Sequence, residues 1–436
     1  MSAGASPLEA LDPARRTSQL RRAIVASAVG TSIEWYDFYL YGSAAVLVFP
    51  HKFFPASDPF TGALLSYSTY FVGFVSRPIG AAIFGHYGDR LGRKISLIAT
   101  LMLMGLATAG IGLVPGYDEI GIWGAVLLTF GRLLQGIGVG GEWGGSVLLA
   151  AEWSEKKHRG FVTSWPHIGA PVGLVLANGA LALASYVSTE QGFLDWAWRL
   201  PFLASVVLIA IGLYIRTGVE ETPSFQKMKD DGAVSTAPVP EAIRGHWRPV
   251  LLVMFLRTSQ QTAFFIFTNY ILSYGTQALG LARGTILGYV SGAALLSIVT
   301  VPFFGWLSDR IGRRRITAIG CGVMLVFPFV WFGLLNTREA GLVFLAILLS
   351  MPVHDMQYGP QAALIAESFP SRVRYTGASL GYQLASITAG GPAPIVALYL
   401  YQSYGTSTAI AVYLAITAVI SLACVWMLPS GQYKEL

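Results

Sequence analysis

Residues 85–94 read G-H-Y-G-D-R-L-G-R-K, and residues 305–314 read G-W-L-S-D-R-I-G-R-R. The two stretches lie 220 residues apart, and Gly85, Asp89, Arg90, Gly92 and Arg93 map in order onto Gly305, Asp309, Arg310, Gly312 and Arg313. Each stretch separates the second and third long apolar runs of a set of six. A second echo follows the fourth run of each set: Glu152 lies seven residues before Arg159, and Glu367 seven before Arg374. The chain therefore reads as a duplicated unit. Duplicated membrane units commonly rock against each other around a site near the bilayer midplane.

Working outward from the repeat, the apolar runs fall near 23–48, 61–85, 95–114, 121–150, 161–186, 199–216, 249–276, 284–306, 315–335, 341–366, 377–402 and 406–428. About 20 apolar residues cross the hydrocarbon core as a helix. The expected fold is an all-α polytopic membrane protein, with twelve transmembrane helices in two six-helix pseudo-symmetric halves. Barrel strands would instead alternate polar and apolar residues in runs of about ten. The composition agrees: 54% of the 436 residues are hydrophobic and 12% charged, against about 25% charged in soluble proteins. The mean hydropathy is +0.57. Cys321 and Cys424 both lie inside apolar runs and read as packing residues rather than a disulfide.

The cations set an orientation. With the N-terminus inside, 22 Lys and Arg fall in inner segments, from Arg15 to Lys434, and four (Lys52, Arg199, Arg283, Arg338) in outer ones. That asymmetry places both termini in the cytoplasm of a multi-pass plasma-membrane protein. The net charge of +6 belongs to this pattern, so no nucleic-acid partner is expected. The expected organisation is a cytoplasmic tail (1–22), a first half (23–216), a polar Pro-containing linker (217–248), a second half (249–428) and a C-terminal tail (429–436). The first apolar run is too long for a signal peptide and reads as an uncleaved span.

The repeated loop resembles the signature of the major facilitator superfamily, and Arg132-Leu-Leu-Gln135-Gly136-Ile-Gly138 is similar to that superfamily's second signature. I-E-W-Y-D-F-Y-L-Y-G at 33–42, G-G-E-W-G-G at 140–145 and E-E-T-P-S-F at 220–225 resemble its metabolite:proton symporter branch. The resemblance implies alternating access around a cavity lined by the first and fourth helices of each half. It also implies substrates such as α-ketoglutarate, citrate, shikimate, proline or glycine betaine.

Ionisable residues inside spans are costly and usually face a cavity or a partner. They are Glu34, Asp37, Arg77, Arg132, Glu142, His167, Arg257, His354 and Asp355, and most fall on the first and fourth spans of a half. Helical spacing puts Gly30, Glu34, Asp37 and Tyr41 on one stripe, Arg257, Gln261, Phe264 and Thr268 on another, and His354, Tyr358 and Gln361 on a third. Burial disfavours an ionised carboxylate and a nearby Arg favours it, so a carboxylate whose surroundings alternate can carry a proton. Asp37 and Glu34 are the first candidates for proton coupling, with Arg132 as partner and His354 with Asp355 as a second pair. Glu142 and Arg77 lie at similar depths and are expected to pair. His167 reads as a satisfied packing histidine. The fixed charges Arg77 and Arg257, with Gln261, Tyr41, Tyr358, Gln361 and Tyr382, are the expected binding groups for an anionic or zwitterionic substrate.

The repeated loops read as a cytoplasmic gate. Asp89 and Asp309 can cap a neighbouring helix, since a helix N-terminus favours an anion. Arg90, Arg93, Arg310 and Arg313 can pair with Glu152 and Glu367, with Gly85, Gly92, Arg159 and Arg374 completing the set. No metal site, cofactor or enzyme motif is expected: there is no H-E-x-x-H, no G-x-x-x-x-G-K-[ST] and no His or Cys cluster. The expected function is proton-coupled uptake of a small metabolite by a monomer in the lipid bilayer. The alternative is a proton-coupled exporter. The superfamily's exporters often carry G-P-x-G-G in the fifth span, where this chain reads G-A-P-V-G at 169–173.

Overall fold

The computed structural model describes residues 12–55, 57 and 59–428. Lys434, residues 1–11 of the expected N-terminal tail and the whole expected C-terminal tail lie outside the described residues. Among the described residues, ten helices are long and apolar enough to cross a membrane. In chain order these are α3 (Arg93–Leu113), α4 (Ile122–Glu152), α5 (Lys156–Tyr186), α6 (Arg199–Thr217), α7 (Pro238–Gln277), α8 (Arg283–Ile311), α9 (Arg313–Asn336), α10 (Ala340–Ala366), α11 (Ser371–Tyr404) and α12 (Thr408–Met427). The more polar α1 (Pro13–Leu47) and α2 (Pro59–Leu91) complete the twelve.

The first helix starts ten residues before its apolar run, at Pro13 rather than residue 23. Asp12 caps it by accepting from the Arg15 amide at 3.1 Å, and Pro13 occupies the first turn. Its charged extension is held outside the apolar body by ion pairs, Arg15 to Glu220 at 2.8 Å and Arg16 to Glu155 at 2.6 Å. The expected linker contains a short helix, Pro223–Asp230. Pro238–Gln277 is bent at His246, whose φ of −132° is not helical, so Pro238–Gly245 stands apart from the spanning part of α7.

The halves repeat one packing scheme. In the first, α4 packs on α2 and α3; in the second, α10 packs on α8 and α9. The halves meet along α2 with α11 and along α5 with α8 and α10. Between α2 and α3, and again between α8 and α9, a single residue turns the chain: Gly92 at φ 116° and Gly312 at φ 109°. A side chain is strained there, which accounts for the glycine at that place in both copies of the loop.

Candidate functional site

The two repeated loops lie at one end of the bundle, the motif end, and each reaches into the opposite half. The Asp89 carboxylate accepts from the backbone amides of Tyr375 (3.3 Å) and Thr376 (3.0 Å) and from the Thr376 hydroxyl (2.8 Å), all near the start of α11. The Asp309 carboxylate accepts from the amides of Gly160 and Phe161, near the start of α5, at 2.8 Å each. Both aspartates thus sit at helix starts, where unsatisfied N–H groups accumulate. Gly85 and Gly305 let α2 and α8 approach Thr376 and Ser164.

Buried ion pairs surround these caps. Arg93 bridges Asp89 (2.9 Å) and Glu152 (3.3 Å). Glu367 receives Arg313 of its own half at 2.8 Å and Arg159 of the other half at 3.0 Å. Arg374 donates to the Phe369 carbonyl and to Ser371, each at 3.0 Å, and lies within electrostatic reach of Glu152. Two expected gate residues do not join. Arg90 is exposed and meets His86 at 3.3 Å, and Arg310 is exposed and stacks on Trp306 at 4.2 Å. Both follow the capping aspartate by one residue, which turns them to the outer face of the helix.

The segment 217–248 adds partners to these caps and ion pairs that loop and span patterns did not reveal. Glu221 accepts from the amides of Arg93 (3.1 Å) and Lys94 (3.2 Å), capping α3. The Thr222 hydroxyl donates to Glu152 at 2.5 Å, and the Phe225 ring lies 5.5 Å from the Arg93 guanidinium. These residues belong to the E-E-T-P-S-F stretch. That stretch was the one signal that could have found them.

Deeper in the first half, Asp37 and Arg132 are joined indirectly. Arg132 donates to Gln135 Oε1 (3.1 Å), Gln135 Nε2 donates to Thr108 Oγ1 (2.6 Å), and Thr108 donates to Asp37 Oδ2 (2.7 Å). Ser205 donates to Asp37 Oδ1 at 3.0 Å. Every donor in this chain points toward the carboxylate. The Arg132 guanidinium lies over Tyr41 at 4.5 Å and Tyr70 at 4.9 Å. Tyr41, expected among the binding groups, turns into the first half and donates to Thr69 at 2.7 Å.

The expected Glu142–Arg77 pair does not form. Glu142 is paired with Arg216 of α6 and accepts from Thr100 and Ser146 at 2.9 Å each. Arg216, at the end of the apolar run 199–216, is 3% exposed. It fits because Gly30 leaves its space empty: a Cβ there would strike both partners. Arg77 instead lies 4.9 Å from both the Phe38 and Phe74 rings, within electrostatic reach of Glu34. Glu34 Oε2 and Arg77 Nε are buried without hydrogen-bond partners among the described residues.

From the second half, Arg257 faces the same layer. It donates to Gln361 (3.2 Å), to Gln261 (2.5 Å) and to the Tyr382 carbonyl, with its guanidinium 3.1 Å from the Tyr382 ring centre. Tyr382 stacks on Trp143 of the first half at 3.6 Å. The Trp143 indole donates to His167 Nε2 at 3.0 Å, so His167 Nδ1 carries the proton it donates to the Tyr358 carbonyl at 2.9 Å. His167 also stacks on Tyr358 at 3.8 Å. It is fully hydrogen-bonded, and its two partners come from different halves. On the side away from the Asp89 and Asp309 caps, Trp35 meets Phe264 at 5.4 Å and Phe74 meets Phe265 at 5.6 Å, closing the layer with aromatic rings.

His354 and Asp355 pair at 2.8 Å on α10, with Ser297 donating to Asp355 at 2.7 Å and Thr300 donating beside it. Three buried arginines, Arg77, Arg132 and Arg257, have no carboxylate within ion-pair distance among the described residues.

A duplicated twelve-helix bundle, with capped loops joining its halves at one end and buried cations at the interface between them, is the architecture of a multi-pass membrane transporter. The chain belongs to the Major Facilitator Superfamily, whose model matches residues 27–391. It is 41% identical over 420 residues to the inner membrane metabolite transport protein YhjE of Escherichia coli strain K12, covering 95% of each chain. It is 40% identical over 421 residues to the shikimate transporter of the same strain, covering 95% and 96%. It is 33% identical over 413 residues to that strain's proline/betaine transporter, covering 93% and 82%. The fold resembles the proton:xylose symporter XylE bound to 6-bromo-6-deoxy-D-glucose, with a TM-score of 0.79 at 16% identity over 96% and 98% of the two chains. The family and these relatives are transporters, not enzymes.

Proposed function

We propose that this chain is a proton-coupled symporter that takes up a small anionic or zwitterionic metabolite by alternating access, with both termini in the cytoplasm of a cell inner membrane. The observation that carries the reading is the pair Arg77 and Arg257. They come from opposite halves, are 4% and 1% exposed, and have no carboxylate within ion-pair distance among the described residues. A substrate carboxylate supplies the missing charge and takes paired hydrogen bonds from a guanidinium. Because the two cations belong to different halves, an anion between them favours the closed arrangement that both must share. Shikimate is a carboxylate, and proline and betaine are zwitterions, so the substrates in two relatives' names fit this chemistry.

The proton is carried in the first half. Asp37, at the end of the Arg132–Gln135–Thr108 chain, and Glu34, beside Arg77, are the groups whose charge the substrate and the alternating cavity alter. Residues 23–216 and 249–428 move as two bodies joined by 217–248. The Asp89 and Asp309 caps, with the Arg93–Glu152 and Arg159–Glu367–Arg313 pairs, hold the cytoplasmic side shut until both substrate and proton are bound.

The test is uptake into proteoliposomes under an imposed inward proton gradient, screened over dicarboxylates, shikimate, proline and glycine betaine. At least one carboxylate-bearing substrate accumulates, and accumulation collapses when the gradient is dissipated. Uptake that ignores the gradient, or gradient-driven loss of substrate from loaded vesicles, overturns symport.

A further inference from the structure

We infer that His354 is a second proton-binding centre, in the half opposite Asp37, and that Gln260 transmits its charge state to the helix segment carrying Arg257. Among the described residues, Asp355 has three hydrogen-bond partners: His354 Nδ1, Ser297 and Thr300. An ionised carboxylate accepts from all three. His354 Nδ1 then keeps its proton whatever the state of the ring, and the exchangeable site is Nε2. That nitrogen lies 2.7 Å from Gln260 Nε2.

In the arrangement observed, the Gln260 amide N–H donates to an unprotonated Nε2. The cost is visible beside it: Gln260 Oε1 is buried without a partner among the described residues. Leaving a buried acceptor unpaired costs about 1–3 kcal/mol. Turning the amide over places Oε1 against Nε2, where it accepts a hydrogen bond from a protonated ring. The site therefore fits both charge states of His354, with one amide rotation between them, and Asp355 supplies the counter-charge the imidazolium needs. The other groups facing this pair are His167 from α5, within electrostatic reach, Arg257 from α7, which binds Gln361 about two turns along α10 from His354, Tyr358 on α10 itself, Tyr382 from α11 and, at the α9 side, Cys321 on Gln357. None of these is a carboxylate that could replace Asp355.

The amide sits on a segment built to move. Thr258–Phe265 is regular helix, interrupted before it at Arg257 and followed by a π-helical turn at Ile266–Tyr270. Such turns mark functional irregularities in helices. Within this segment Gln260 holds His354 and its neighbour Gln261 holds Arg257. Protonation at His354 is thereby linked to the position of the substrate-facing cation. The coupling role rests on the symport reading; binding of the proton does not.

The test uses the full chain in lipid nanodiscs with isotope-labelled histidine, following imidazole nitrogen resonances as the pH is lowered. One Nε2 resonance, absent in His354→Gln, takes up a proton while its Nδ1 stays protonated. In Asp355→Asn no resonance shows that pattern. Gln260→Leu shifts the same resonance and assigns it without replacing His354, should His354→Gln fail to fold. An Nε2 unprotonated throughout overturns the proposal. In proteoliposomes His354→Gln lowers gradient-driven accumulation at least about tenfold, with counterflow exchange within about twofold of wild type, a coupling loss of the usual size. Wild-type accumulation in that variant overturns the coupling role. Vesicles that ignore the gradient, while Nε2 still titrates, sink symport and leave the proton-binding centre standing.

Discussion

Replacing Asp89 by Asn keeps the shape of the cap and removes its charge, which isolates what the latch contributes. The wild-type carboxylate accepts two backbone amides and a hydroxyl from the opposite half, and pairs with Arg93 at 2.9 Å. Hydrogen bonds to a charged group are worth about 1.5–3 kcal/mol against about 0.5–1.5 for neutral ones. Losing about 1 kcal/mol on each of the cross-half bonds destabilises the closed motif end by about 2–3 kcal/mol, since an Asn oxygen still serves part of the set. At 1.4 kcal/mol per factor of ten, the open population rises about 30- to 150-fold. Ser379 reports on this directly. It is fully buried on α11, with Gly144 of α4 against it. In a background with Cys321 and Cys424 replaced by Ala, Ser379→Cys reacts with a maleimide only when the motif end opens. Its labelling rate should rise by that factor in Asp89→Asn. A rate changed by less than about threefold, a free energy below about 0.7 kcal/mol, would refute the latch.

Further outcomes follow from the other named groups. Asp37→Asn abolishes gradient-driven accumulation and retains counterflow exchange; a variant that accumulates at the wild-type rate removes Asp37 from proton coupling. Arg257→Lys keeps the charge but loses the paired geometry and the stack on Tyr382, so substrate affinity measured by equilibrium binding falls about 10- to 100-fold. Unchanged affinity places the substrate elsewhere. Glu221→Ala removes the cap of α3, worth about 1 kcal/mol, and raises Ser379→Cys labelling about fivefold, well short of the Asp89→Asn effect. Labelling at the wild-type rate would show the linker to be a passive tether.

Much of the architecture could be read because its causes are local. A span needs a long apolar run, and the loop motif needs a glycine at Gly92 and Gly312 where the chain turns with positive φ. Periodicity also put Arg257 with Gln261, and the structure joins them at 2.5 Å. Pairing between helices was harder. Depth along an axis matched Glu142 with Arg77, but depth says nothing about azimuth. Arg216 reaches Glu142 because Gly30 on a third helix leaves the space. For the same reason one stripe of α1 serves several partners: Glu34 faces Arg77, Asp37 faces Thr108 and Ser205, and Tyr41 faces Thr69. Glu221 was hidden because a capping acid in a polar linker resembles any other linker charge until the helix start it serves is known.

The positions of these groups on α4 say how site and latch are connected. This one helix carries Arg132 and Gln135 of the chain that ends on Asp37, Trp143 stacked on Tyr382 of the other half, and Glu152 paired with Arg93. From Arg132 to Glu152 is about 30 Å at 1.5 Å per residue, without a proline inside the helix. A tilt that separates Trp143 from Tyr382 therefore also moves Glu152 relative to the latch. In the proposed cycle, substrate acts at the Trp143 level, through Arg77 and Arg257, and the latch acts at the Glu152 level, through Asp89. Neither can change alone without bending a helix packed along α2 and α3. Rigid-body rocking is the cheaper motion, because interfaces between packed bodies switch between discrete arrangements more readily than packed helices deform.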